Sequence, residues 1–417
     1  MLEKRLPRRQ FLRQTAATLS VPVAHALAVH GAESPSPPVR AITRGPAFHW
    51  FSYYDKLQFD PSGRRVLGMA VDFEHRSPRP DDAIKVGMVD LDADDRWTDL
   101  GESRAWCWQQ GCMLQWRPGS ADEVLWNDRG QKGYISHILN VRTGSRRTLG
   151  HPFYTVSPDG GTAMAPDFRR VQDMRPGYGY PGLLDPYADK AAPAESGIFR
   201  LDMETGRQEL VISLADVVAM GKMPGDPKDA KHWFNHLLFN TDGSRFVFLH
   251  RWAVPGVSGR GTRMLTAKPD GTDIHIVDDY GKTSHFIWRD PQHILAWAWR
   301  PSHQGAFYLF TDGDDQVEVV GKSVMTGDGH CSYLPGDQWI LCDTYPDSRR
   351  CQNVYLYHVE TGRRVALGSF PIPKEYTGEW RCDTHPRFSP DGRTVCIDSC
   401  HEGNGRQMYL IDISSFA

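Results

Sequence analysis

The sequence has no surplus of positive charge: 48 Lys and Arg stand against 51 Asp and Glu, a net charge of −3 at a pI of about 6.6. A nucleic-acid partner, which needs a basic face, is therefore not expected. Nor is there an apolar run long enough to cross a bilayer. The nearest, residues 15–29, is short, rich in small residues and only mildly apolar. A hydrophobic share of 40% and a charged share of 24% are ordinary for a soluble globular protein. The 13 Trp and 15 Tyr suit dense packing and sugar stacking equally, so their number does not discriminate.

The N-terminus stands apart. Arg8-Arg9 is followed closely by the hydrophobic doublet Phe11-Leu12, and Ala24-His25-Ala26 and Ala26-Leu27-Ala28 are candidate cleavage sites. Residues 1–32 read as a twin-arginine export signal, the alternative being a basic disordered tail. Residues 33–40, with three prolines, read as a linker. The expected partner here is the twin-arginine export machinery, which carries proteins already folded, often with a metal inserted. The expected destination is the periplasm or the exterior, without membrane insertion once the signal is removed. Eight cysteines in an exported chain allow disulfides, and their pairing cannot be read from sequence.

From residue 41 onward the chain repeats. His236-Leu-Leu-Phe239, His285-Phe-Ile-Trp288, His330-Cys-Ser-Tyr333 and His385-Pro-Arg-Phe388 each set a histidine three residues ahead of an aromatic. A turn and an apolar strand follow each of them. The spacing of roughly 50 residues is that of a β-propeller blade. Asp60-Pro-Ser-Gly63, Arg117-Pro-Gly-Ser120 and Ser157-Pro-Asp-Gly160 supply the same turn earlier in the chain. Turns such as Val141-Arg-Thr-Gly144, Met203-Glu-Thr-Gly206 and Val359-Glu-Thr-Gly362 close the outer hairpins. The fold expected over residues 41–417 is all-β: a seven-bladed β-propeller of four-stranded antiparallel blades. Its inner strands A start near Lys56, Met113, Phe153, His236, His285, His330 and His385. The last blade lacks a fourth strand, which residues 40–44 would supply, closing the ring and removing its free edges. The longest interval, between the third and fourth inner strands, holds insertions at 167–197 and 211–235, with a helix-like run over 212–220. Such insertions are commonly functional.

Strand B returns antiparallel to strand A, so the start of each A and the end of each B share one rim. That rim collects His236, His285, His330 and His385, with His250 and Arg251 at the B end of blade four. The insertion after strand B of blade three adds Arg175, Tyr178 and Tyr180. Four histidines at one repeat position read either as a metal-ligand set or as a structural motif of the blade. Cys382 with His385 and Cys400 with His401 form an alternative structural zinc site.

With those residues in place, the chain resembles the seven-bladed propeller polysaccharide lyases, the oligogalacturonate and ulvan lyases. Phe248-Leu-His250-Arg-Trp252, Ser284-His285-Phe-Ile-Trp288 and Asp383-Thr-His385-Pro-Arg-Phe-Ser-Pro-Asp-Gly392 carry the resemblance. It implies a catalytic-cleft histidine at His250 and metal ligands at His285 and His385. Asp383 stands where the family has another histidine, and a glutamine ligand has no clear counterpart, leaving His330 or Asp383 to complete the shell. The metal implied is divalent, manganese first, with calcium or zinc as alternatives. Tyr178 or Tyr180, with Arg175, would take the ulvan-lyase parts of proton transfer and carboxylate neutralisation. The expected activity is metal-assisted β-elimination on a uronate-containing oligo- or polysaccharide. A non-catalytic carbohydrate- or protein-binding propeller and a metal-dependent hydrolase are the competing readings.

Overall fold

The computed structural model describes residues 37–221, 223 and 229–416. The expected export signal at 1–32 and the linker residues 33–36 lie outside them. Among the described residues, no helix is long and apolar enough to cross a membrane.

Seven four-stranded antiparallel sheets follow one another along the chain. Blade one takes Phe48–Trp50, Arg65–Val71, Ile84–Asp90 and Arg96–Ser103, and blade two takes Gln115–Trp116, Glu123–Arg129, Tyr134–Asn140 and Arg146–Leu149. Blade three is Thr155–Val156, Thr162–Pro166, Gly197–Asp202 and Gln208–Ser213, and blade four is Lys231–Phe239, Phe246–Ala253, Gly261–Ala267 and His275–Asp278. Phe286–Trp288, His293–Arg300, Gln304–Thr311 and Val317–Val320 build blade five. Cys331–Tyr333, Trp339–Cys342, Cys351–His358 and Arg364–Pro371 build blade six. Blade seven has Arg387–Phe388, Thr394–Ser399 and Gln407–Asp412, and its fourth strand is Val39–Ala41 from the other end of the chain. Val39 pairs with Ile411 and Ala41 with Tyr409, so the ring is closed by the N-terminal strand.

The burial of each strand follows its place in the blade. Second strands such as Arg65–Val71 and Phe246–Ala253 are buried along almost their whole length, because neighbouring blades cover both faces. Fourth strands such as Arg364–Pro371 largely alternate buried and exposed residues, as an outer edge with one wet face requires. The turns between first and second strands contain glycines of positive φ, Gly63, Gly160, Gly243 and Gly392, a conformation that a Cβ disfavours. The insertion after strand B of blade three opens with helix α1, Phe168–Met174, and helix α2, Leu214–Ala219, lies within the helix-like run read from the sequence.

Two boundaries differ from expectation, and both bear on the site. The inner strand of blade one starts at Phe48, not near Lys56: Phe48–Trp50 pairs with Met69–Val71, and the inner edge resumes at the Phe59–Val66 bridge. The chain between is free to cross the channel. The inner strand of blade four starts at Lys231, not His236, and its register jumps between Asn235 and Leu238. His236 sits in that bulge with φ of 52°, which re-aims its side chain.

Candidate active site

The crossing segment of blade one is pinned from three sides. The Phe51 N–H donates to the Asp398 carboxylate of blade seven, and Ser52 Oγ donates to the Leu114 carbonyl at 3.0 Å. The Tyr54 hydroxyl donates to the Phe286 carbonyl at 2.7 Å and accepts from the Phe286 N–H at 3.0 Å. Held this way, Tyr53 lies among the four repeat histidines. Its ring centroid is 5.2 Å from His236, 6.5 Å from His285, 5.7 Å from His330 and 4.9 Å from His385. The imidazoles therefore gather on one rim, but they surround a tyrosine ring.

They divide into two groups. His285 and His330 are 4.2 Å apart between ring centres, and His330 and His385 are 4.3 Å apart. Ligand atoms of His330, Asp383 and His385 lie within 4.8 Å of one another. His330 Nδ1 lies 3.0 Å from both Asp343 carboxylate oxygens, a contact that holds the proton on Nδ1 and turns the Nε2 lone pair outward. Both His330 Nε2 and His385 Nε2 are buried without a hydrogen-bond partner. Burial, followed by His330 and Arg387, holds His385 well below its ordinary value, so it is neutral and able to donate an electron pair. Asp383 accepts from Arg381 Nε at 2.7 Å and from Gln352 Nε2 at 3.3 Å, and Gln352 Oε1 is buried without a partner. His285 Nδ1 is 2.8 Å from Asp328. Burial pulls His330 down, but Asp343 outweighs it and raises the group above its ordinary value, so a cation would have to displace a proton there. The two imidazoles, a carboxylate and an orphaned amide oxygen are donor types that suit a divalent cation.

His236 belongs elsewhere, a correction to the expectation of four equivalent ligands. The Tyr53 ring is stacked on it, and Gln110 Nε2 and the Tyr154 hydroxyl each lie 3.1 Å from its Nδ1. With the amide in this orientation Nδ1 accepts, and the proton is on Nε2. Burial, then Arg251 and Arg175, hold His236 well below its ordinary value. The alternative zinc site also fails: Cys382 and Cys400 pack with Ile372 and Tyr376, and His401 Nδ1 is bonded to Ser399. All eight cysteines are free thiols.

The two tyrosines of the insertion part company. Tyr178 sits edge-on to His236 at 5.6 Å, and its hydroxyl accepts from Arg381 Nη2 at 2.7 Å. The Arg175 guanidinium lies 3.6 Å over its ring. Burial pushes the Tyr178 phenol up, but Arg175 and Arg381 outweigh it and bring the group down to about 8. Tyr180 points the other way, stacked on Phe168 at 4.2 Å with its hydroxyl bonded to Asn127. Burial raises it well above its ordinary value. It is a core residue, held by its packing on Phe168 and Tyr134.

His250 is also displaced from the expected site. Strand register sets it opposite Phe234, and its Nε2 is 3.0 Å from His232 Nδ1, not beside His236. Arg263 Nη2 lies 3.2 Å from its Nδ1. It is buried, with both ring nitrogens engaged by other side chains. Its neighbour Arg251 faces the opposite side of the strand, towards His236, Tyr53 and Tyr178.

Sequence reading missed Tyr53, Gln110, Gln352 and Arg381 as site residues. Arg381 and Asp383 share the approach to the last inner strand, two residues apart with the same orientation, and that spacing was the available signal.

A scan against protein-family models matches none of them to this chain. Among solved structures, an oligogalacturonate lyase from Vibrio parahaemolyticus superposes with a TM-score of 0.65 at 14% identity, over 92% of this chain and 96% of the other. An oligogalacturonate lyase in complex with manganese gives 0.64 at 14% identity, over 91% and 94%. The chain resembles these proteins in fold across nearly its whole length.

Proposed function

We propose that the chain is a polysaccharide lyase, cleaving uronate-containing oligo- or polysaccharides by metal-assisted β-elimination. The observation that carries this reading is the pair Tyr53 and Tyr178, two phenols of one site driven in opposite directions. Tyr178 is brought down to about 8. Tyr53 is raised well above its ordinary value, by burial first and then by Tyr178 and Tyr54. Two groups of one type held apart in this way suit a base and an acid.

β-Elimination removes the weakly acidic proton beside a uronate carboxylate and expels the oxygen on the next ring carbon. Tyr178 Oη, as tyrosinate, takes that proton. The C–H electron pair becomes the new ring double bond as the glycosidic C–O bond breaks. Tyr53 Oη, buried and without a partner, carries the proton that the departing oxygen needs. Arg381 holds the Tyr178 oxygen in place, and Asp343 holds the His330 imidazole. His330, Asp383 and His385, with His285 and Gln352 beside them, would hold the divalent cation. Bound there, the cation would neutralise the substrate carboxylate and so acidify the adjacent C–H.

The fold shared with oligogalacturonate lyases, one of them a manganese complex, supports this substrate class and manganese as the ion, with calcium or zinc as alternatives. The Arg8-Arg9 pair supports export by the twin-arginine machinery to the periplasm or beyond. The test is incubation with polygalacturonate and ulvan while following ultraviolet absorbance. Elimination creates an absorbing unsaturated uronate, whereas hydrolysis or simple binding leaves absorbance flat.

A further inference from the structure

The last inner strand is reached through a stretch that belongs to no ladder. Residues 381–386, which include Arg381, Asp383 and His385, lie outside every strand and helix. A backbone bond from the Asp398 N–H to the Thr384 carbonyl, at 3.0 Å, prolongs the pairing of Arg387 with Cys396. Two residues further along each chain, the same antiparallel register sets Cys382 opposite Cys400. Both side chains are buried in one packed cluster with Ile372 and Tyr376. A hydrogen bond between the two thiols is the strongest influence on Cys382. Opposed residues of an antiparallel pair have Cα atoms about 4.5–5.5 Å apart, within the span of a disulfide.

The other six cysteines are turned elsewhere. Cys107 and Cys112 belong to different packed clusters, and Cys112 Sγ lies 3.6 Å from Met69 Sδ. Cys331 and Cys342 are opposed in blade six, but Cys342 Sγ lies 3.3 Å from the Asp343 carbonyl and bonds Tyr355. Cys396 meets Arg387, and Cys351 meets the Arg349 carbonyl. Around Cys382 and Cys400 the last blade meets the first. Arg406 donates to the Trp380 and Arg381 carbonyls at 2.8 and 3.1 Å and lies 3.6 Å from Glu74, which also accepts from Tyr376. Side chains hold this segment in place of a ladder, and a covalent link here would add most to its order.

We infer that Cys382 and Cys400 close to a disulfide under oxidising conditions, a latch on the segment that carries Arg381 and Asp383. The oxidant is a small disulfide such as glutathione disulfide. Cys400 is the entry point, because residues 402–404 beside it form an exposed turn. Its thiol loses a proton to solvent, attacks one glutathione sulfur and expels one glutathione. The Cys382 thiol, losing its own proton, then displaces the second glutathione from Cys400. Two protein thiols are oxidised to one disulfide, and one glutathione disulfide is reduced to two glutathiones. Nothing in this step depends on the lyase reading.

The test uses the folded full chain, treated with glutathione disulfide or with reduced glutathione. Remaining thiols are alkylated in denaturant, and the protein is digested and its peptides weighed without reduction. The expected product links the peptides of Cys382 and Cys400 and is two hydrogens lighter than their sum. Cys382→Ala and Cys400→Ala should each abolish that product. Hydrogen exchange of the folded protein reads the latch itself. Amides of residues 378–386 should exchange at least about tenfold more slowly in the oxidised protein than in the reduced one. Thiols that stay reduced, a lasting glutathione adduct at Cys400, or a link between Cys331 and Cys342 in place of this one overturns the pairing. A Cys382–Cys400 bond that leaves exchange over 378–386 unchanged overturns the latch.

Discussion

Arg381 Nη2 donates to the Tyr178 hydroxyl at 2.7 Å, joining the last blade to the insertion of blade three across 203 residues. The same guanidinium donates through Nε to Asp383, so one side chain positions both the proposed base and a proposed metal ligand. Tyr178 is faced by Arg175, Arg381 and Asp383, by Arg251 and Arg260 from blade four, by Tyr53, and by Tyr345 and His236. Cations predominate, and they favour the tyrosinate. Because the base acts deprotonated, kcat/KM should rise with pH and level off above about 8. Arg381→Gln removes one stabilising cation, so the rising limb should move to higher pH. Tyr178→Phe should cut kcat on the order of 100-fold or more. Initial rates across pH for the three proteins decide it.

Metal content should separate the histidines. His330→Ala and His385→Ala should purify without the ion, whereas His236→Ala should retain it, because Tyr53 stands between His236 and the cluster. Asp343→Asn weakens the anchor of the His330 ring and should lower metal affinity by about 10- to 100-fold. Elemental analysis after dialysis against a graded chelator reads each outcome.

His250 should matter to stability and not to chemistry. His250→Ala opens a buried cavity beside Phe234 and Phe248 and leaves Arg263 Nη2 with only the Val217 carbonyl. The cost should be about 2–4 kcal/mol in urea unfolding. The kcat of the remaining folded protein should stay near that of the unmodified enzyme.

Tyr54 ties blade one to blade five through two hydrogen bonds at Phe286. Tyr54→Phe leaves the Phe286 N–H and carbonyl without that partner in a buried setting. A loss of about 1–3 kcal/mol is expected, measured by denaturant titration.

The propeller was legible because its turns are chemical signatures: a Pro- or Asp-Gly turn between apolar runs recurs whatever else the blade carries. The same repetition made the four histidines look equivalent. The repeat was the right guide to the rim and the wrong guide to geometry at His236, where a bulge within strand Lys231–Phe239 turns the side chain aside. Tyr53 and Tyr54 were invisible because residues 51–58 break the repeat, and a strand interrupted to cross a channel leaves no periodic trace. Tyr178 and Tyr180 look alike in a Gly-Pro turn, and only packing against Phe168 separates a core ring from one in the site. Arg381 and Gln352 act through partners distant in sequence, Tyr178 for one and Asp383 for the other. No local pattern encodes those contacts.

The central claim is that the chain breaks a uronate glycosidic bond by elimination. It is tested most directly by running the reaction in heavy-oxygen water and weighing the products. Elimination predicts an unsaturated product one water lighter than a hydrolysis fragment, with no solvent oxygen at the cleaved position. Solvent oxygen incorporated there, in a saturated product, would contradict the account.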